Sequence, residues 1–143
     1  MIVYFDTSAI VPIVIEESSS INASRLWDEA DRVVSSRLIY AEGRAALAMA
    51  HRLDRIDERG LRAAVDDFET LHNQLDVIEI SKKLIRDAGG LAEQLSLRGF
   101  DAVHLASARL VDDSEMVLAT GDQSLLAAAR AMGIATADLA HSP

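Results

Sequence analysis

Ile2-Val3-Tyr4-Phe5-Asp6-Thr7-Ser8-Ala9 sets four apolar residues directly before an acid and two hydroxyls. The apolar run has strand length and is continuous rather than alternating. That is how a strand covered on both faces of a parallel sheet reads. Residues 32–35, 77–80, 116–120 and 134–136 have the same character, giving about five strands. Helical periodicity fills the intervals. Ile21, Ala23, Leu26, Trp27 and Ala30 make one stripe, and Leu38, Ala41, Ala45, Ala48, Met49 and Leu53 a second. Leu61, Ala64, Val65, Phe68, Leu71 and Leu75 follow the i, i+3, i+4, i+7 spacing. Leu84, Ala88, Leu91, Ala92 and Leu95 form another stripe, with a kink or break expected at Gly89-Gly90. Residues 100–111 and 124–132 complete the helices, and 54–57 reads as a turn within a helical hairpin. Strands separated by helices predict βαβ units: a three-layer α/β/α sandwich around a central parallel sheet.

The bulk properties narrow the function classes. The 143 residues suit one domain spanning 1–143, and a half-hydrophobic composition argues against disorder. There is no cysteine, which removes disulfides, thiol catalysis and cysteine-held zinc. No basic leader precedes the first apolar run, which Asp6 interrupts, and no stretch approaches the roughly 20 apolar residues of a membrane span. A soluble cytoplasmic protein without membrane attachment is expected. The net charge of −9 repels phosphate backbones, so any nucleic-acid substrate needs a local reversal of sign, by a divalent cation or a few placed arginines.

In an open parallel sheet, ligands sit at the carboxyl ends of the strands. Asp6 ends the first strand, as a metal ligand or as the N-cap of a helix after it; Ser8 is an alternative cap that would free it. Glu42 falls near the middle of the second stripe, with Gly43 and Arg44 outside it. An unpaired buried carboxylate there costs several kcal/mol. It is therefore salt-bridged to an arginine, protonated, metal-bound or set at a cleft edge. Asp101 opens the helix that contains Leu105 and Ala108, as a ligand or as a first-turn acid favoured by the helix dipole. Asp122 comes directly after the fourth strand, where N-cap and metal-site roles are compatible because one oxygen can face each way.

Other chemistries lack their patterns. His104 reads as a partly buried helix histidine, and the four histidines have no HxxxH or HExxH spacing. No serine has a GxSxG setting, and there is neither a GxGxxG nor a GxxxxGK[ST] loop. Arg55, Arg59 and Arg62 read as a solvated helix face. Two acids at strand ends and two on apolar helical faces suggest one shared cleft. Clustered like charges raise each other's proton affinity unless a cation intervenes, and oxygen ligands select Mg²⁺ or Mn²⁺.

Four segments resemble, in order and spacing, the motifs of PIN domains. They are the opening stretch to Ala9, Tyr40-Ala41-Glu42-Gly43-Arg44-Ala45-Ala46-Leu47, Asp101-Ala102-Val103-His104-Leu105-Ala106-Ser107-Ala108 and Thr120-Gly121-Asp122-Gln123-Ser124-Leu125. The likeness covers essentially the whole chain, and the size resembles the VapC toxins. It implies an Mg²⁺- or Mn²⁺-dependent endoribonuclease, homodimeric and silenced by a VapB-type antitoxin, with RNA as substrate. It implies Asp6, Glu42, Asp101 and Asp122 as the catalytic, metal-holding acids, with Thr7, Ser8 and Thr120 as hydroxyl support. Asp6 and Asp101 would hold the tightest ion, with Glu42 and Asp122 orienting water or a second one, and cleavage would leave a 5′-phosphate. Gly43 stands where a bulkier residue is common, and no fifth acid follows Asp122. The acidic body and the helix pair around 37–75 suggest a groove for a basic antitoxin segment. A catalytically inactive PIN-like binding module is the alternative. A receiver domain would have an Asp where the third strand ends Glu79-Ile80-Ser81, and a DxD phosphatase an Asp where Ser8 stands.

Overall fold

The computed structural model describes residues 1–111 and 113–141. Residues 112, 142 and 143, part of the expected 1–143 domain, lie outside the described residues. Five strands form one parallel sheet: β1 (Ile2–Phe5), β2 (Arg32–Ser36), β3 (Asp76–Ile78), β4 (Val117–Thr120) and β5 (Ala135–Asp138). Their spatial order is β3-β2-β1-β4-β5, so β1 is central. Val3 pairs with both Val33 and Val117. The chain lays down β2 and β3 on one side of β1, then returns to build β4 and β5 on the other. The order therefore reverses at β1, where parallel sheets open a crevice at their carboxyl edge.

Alternation along β1 feeds two cores. Tyr4, Val34 and Leu118 pack against α5 (Lys82–Leu95), α6 (Gly99–Ala108) and α7 (Gln123–Ala131). Val3, Phe5 and Ala119 point the other way. That layer contains α1 (Thr7–Val14), α2 (Ser20–Glu29), α3 (Ile39–Arg52) and α4 (Glu58–Gln74). Each fully buried Val, Leu, Ile or Phe contributes about 1.5–3 kcal/mol. The predicted α/β/α architecture and all five strands are present, with shifted ends: Ile80, Met116 and Ile134 fall outside the strands.

Three local expectations need correction. The buried face of α3 is Ile39, Gly43, Leu47 and Ala50, whereas Ala41, Ala45, Met49 and Leu53 are outside it. An alanine-rich helix is apolar nearly all round, so hydrophobicity alone does not fix its orientation. Gly43 decides it: a Cβ there would overlap the Phe68 ring of α4, so the glycine lets the two helices approach. Second, α5 runs unbroken through Gly89 and Gly90, both exposed, with flanking Leu84, Ala88 and Leu91 anchoring it to the core. Third, α1 carries none of the predicted stripes. Its Ala9, Ile10, Val11 and Pro12 are all buried, so it shows no polar face and no period.

Candidate active site

Four elements deliver the four acids to one edge of the sheet. β1 ends at Phe5, and Asp6 is the first residue past it; its N–H still donates to the Ala119 carbonyl at 3.3 Å. Asp6 occupies the N-cap position of α1, but its side chain makes no cap bond. Ser8 is not the cap either. Its hydroxyl donates to Asp6 Oδ1 at 2.8 Å and accepts from the Gly121 N–H at 2.7 Å, tying the ends of β1 and β4 together. Thr120 lies within reach of Ser8, Oγ to Oγ1 3.3 Å, and accepts from the Asp122 N–H at 2.9 Å. Asp122 is the predicted N-cap, with its second oxygen turned into the cleft. Oδ1 caps α7 by accepting from the Leu125 N–H at 2.9 Å, and Oδ2 faces Arg98.

Glu42 enters from α3 and Asp101 from α6, on opposite sides of the sheet. Glu42 has no arginine salt bridge among the described residues. Its Oε1 accepts from Thr7 Oγ1 at 2.8 Å and from His104 Nε2 at 2.5 Å. Asp101 is 8% exposed, deeper than a surface first-turn acid. A cleft of about 360 Å³ is lined by Asp6, Thr7, Ser8, Glu42, Asp101 and Asp122, together with Arg98, His104 and Glu17. Thr120 stands behind it and acts through Ser8 and the Asp122 backbone.

The electrostatics follow from the wiring. Asp6 is 4% exposed. Burial pushes its carboxyl up to about 6, against the opposing pull of His104 and the Ser8 and Thr120 hydroxyls. Burial also acts to raise Glu42, but the His104 and Thr7 hydrogen bonds and the Arg98 charge outweigh it and hold Glu42 below the usual carboxylate range. Arg98 spans the remaining pair: Nε donates to Asp101 Oδ2 at 3.0 Å and Nη2 to Asp122 Oδ2 at 2.7 Å. These carboxylates, Asp101 foremost, hold its proton more tightly than usual.

Among the described residues, no three His, Asp or Glu side chains stand in a completed cation cage. Arg98 supplies the positive charge between two of the acids instead. The donor set still fits a hard divalent ion: four carboxylates around one cleft, no thiol, and one buried carboxyl whose charge is disfavoured without a cation. The Arg98 side chain is 78% exposed, so it can leave toward solvent.

Sequence reasoning overlooked Arg98, Tyr4 and Glu17 and undervalued His104. The signal for Arg98 was its place three residues before Asp101 at a helix start. His104 was the one titratable residue beyond Asp101 on an otherwise apolar helix. Glu17 gave no signal, since it pairs with Arg55 and meets the cleft only through the fold.

A parallel α/β sheet with an acidic cleft at its switch point defines a class of small carboxylate-lined α/β proteins. Within that class the chain belongs to the PIN domain family, whose profile matches residues 3–131. It is 42% identical over 142 residues to Ribonuclease VapC45 of Mycobacterium tuberculosis, with 99% of each chain covered. Solved structures share the fold at low identity. PAE2754 from Pyrobaculum aerophilum matches with a TM-score of 0.70 and 22% identity, covering 94% of this chain and 82% of that one. VapBC-1 from nontypeable Haemophilus influenzae matches with a TM-score of 0.63 and 20% identity, covering 99% and 100%.

Proposed function

We propose that this chain is a divalent-metal-dependent endoribonuclease, the toxin of a type II toxin–antitoxin pair. The observation that carries the reading is the arrival of Asp6, Glu42, Asp101 and Asp122 from four different elements at one cleft. The 42% identity to a ribonuclease over nearly the whole chain supports it. So does the presence of all four acids, which a binding-only module has no need of.

Asp6 and Asp101 are the primary ligands in this reading, with Glu42 and Asp122 completing the set. When bound, Mg²⁺ or Mn²⁺ supplies charge neutralisation at a phosphodiester and a more acidic water. The protein's own groups do the rest. Ser8 and Thr7 hold Asp6 and Glu42 in place, and Thr120 fixes the turn that carries Asp122. Arg98, once released from Asp101 and Asp122, is the cation at the mouth and pairs with an RNA phosphate, bidentate in the manner of guanidinium groups. Phe100, 63% exposed beside it, offers a face for an unpaired base.

The partner in this reading is a VapB-type antitoxin, in keeping with the VapBC likeness. The exposed row Ala41, Ala45 and Met49 on α3, followed by Leu53 at its C-cap, gives such a segment an apolar face. A homodimer of single-domain chains working in the cytoplasm belongs to the same proposal. Among the described residues, no helix is long and apolar enough to cross a membrane.

The test is cleavage of single-stranded RNA by the purified chain with Mg²⁺ or Mn²⁺. Cuts with 5′-phosphate ends that vanish with EDTA are expected. Undiminished activity in excess EDTA, or no cleavage with either metal, overturns the proposal.

A further inference from the structure

A buried pair, Tyr4 and His104, takes no part in the proposed chemistry yet ends on one of the acids. Tyr4 sits in the central strand with its side chain toward α6, and it is wholly buried. Burial pushes its hydroxyl's pKa up, so it stays a phenol. His104 is 1% exposed. Its Nδ1 meets the Tyr4 hydroxyl at 2.8 Å and its Nε2 meets Glu42 Oε1 at 2.5 Å. The two rings stand edge to face, 5.9 Å apart at 79°, which restricts the imidazole.

The role of Nε2 is fixed by elimination. An ionised carboxylate only accepts, so Nε2 carries the hydrogen. Nδ1 is held by the Tyr4 hydroxyl, whichever of the two atoms carries that bond's hydrogen. Thr7 Oγ1 donates to the same oxygen of Glu42 at 2.8 Å. Both donors therefore land on Oε1. Among the described residues no hydrogen bond is directed to Oε2, although Glu42 lines the cleft. Turning the carboxylate about its last bond would break both contacts together. The chain β1–Tyr4–His104–Glu42 thus runs through the interior from one helical layer to the other, reaching α3 at the open edge of the sheet.

We infer that His104, anchored by Tyr4, is a positioning residue: it commits Glu42 Oε1 to the protein and leaves Oε2 as the oxygen offered to a divalent cation. The inference rests on the ribonuclease reading for its kinetic consequence, whereas its geometry can be tested without catalysis. Groups that hold metal ligands from behind typically change metal affinity or activity by about 10–100-fold when removed.

The experiment combines three measurements on the full chain. Nitrogen-15 NMR of the imidazoles in the metal-free protein should show His104 carrying a proton at Nε2. Calorimetric titration with Mn²⁺ should show His104→Leu weakened by about 10–100-fold. His104→Gln, whose amide N–H can reach the same oxygen, should recover most of that loss, and Tyr4→Phe should lose less than His104→Leu. Steady-state cleavage of an RNA oligonucleotide should place the loss in kcat with KM unchanged.

A merely space-filling role predicts instead that the Leu and Gln variants fall together with their melting temperatures. That result overturns the inference, as does an Nε2 without a proton or unaltered Mn²⁺ affinity in His104→Leu. Should His104→Leu fail to fold, Tyr4→Phe and the wild-type spectrum decide. If the wild type cleaves no RNA, the enzymatic reading fails, while the spectrum and the Mn²⁺ titration still settle the positioning.

Discussion

Asp6 and Glu42 are held by hydrogen bonds from Ser8, Thr7 and His104, of which His104 is buried in the core. Asp101 and Asp122 are held from the front, by one arginine whose side chain is largely in solvent. The first pair is fixed before any ligand arrives. The second is neutralised by a cation that can be exchanged for another. Glu42 is answered by hydrogen bonds, Asp101 and Asp122 share Arg98, and Asp6 is the acid whose charge burial still disfavours. A divalent ion would need to displace only Arg98.

The largest effect should come from removing one acid of each pair. Asp6→Asn and Asp101→Asn should each lower metal-dependent RNA cleavage by about 10⁴-fold or more, as a residue acting within a catalytic unit does. Unfolding of both variants should stay cooperative by circular dichroism. Full cleavage by either would break the equivalence of the two pairs in catalysis.

Next is a pH effect confined to the fixed pair. The folded-state pKa of Asp6 is about 6, raised above its ordinary 3.8. Between those values the folded chain keeps a proton that the unfolded chain has released, so stability falls as pH rises through this window. In EDTA, Asp6→Asn should match the wild type below about pH 4 and exceed it by about 3 kcal/mol above pH 7, taking 1.36 kcal/mol per pH unit. Urea denaturation at several pH values measures this. A gap that shrinks as pH rises would contradict the burial cost assigned to Asp6.

Two glycine substitutions compare a tight helix contact with an open one. Gly43→Ala forces a Cβ into the Phe68 ring and should destabilise by about 1–3 kcal/mol, with reduced activity because the turn holding Glu42 shifts. Gly90→Ala, which meets nothing within 4 Å, should stabilise by up to about 1 kcal/mol and leave activity alone. Thermal melts and initial rates distinguish them.

The smallest effect belongs to the exchangeable side. Arg98→Gln should tighten Mn²⁺ binding by up to roughly tenfold, since the competing cation is gone. It should also raise KM for RNA and lower the melting temperature in EDTA but not in Mg²⁺. Weaker Mn²⁺ binding would show that Arg98 supports the site instead of occupying it.

The sequence by itself marked the five strands, the helices with a polar face and the four candidate acids. Continuous apolar runs such as 2–5 mark strands covered on both sides, because only such strands tolerate no polar alternation. An acid directly after β1 or β4 is at the carboxyl edge once the sheet is parallel. Where one residue type dominated all sides of an element, the pattern had nothing to say: α1 has no polar face, and the alanine-rich α3 pointed its other side inward. The Phe68 ring of α4 settled that orientation by requiring a glycine opposite it. The partners of the acids were likewise undecided until the chain closed. Tyr4 and His104 are 100 positions apart, and Thr7 and Glu42 are 35 apart. Periodicity reports on contacts within an element. Hydrogen bonds between side chains from different elements depend on how those elements pack, and that information exists only in three dimensions.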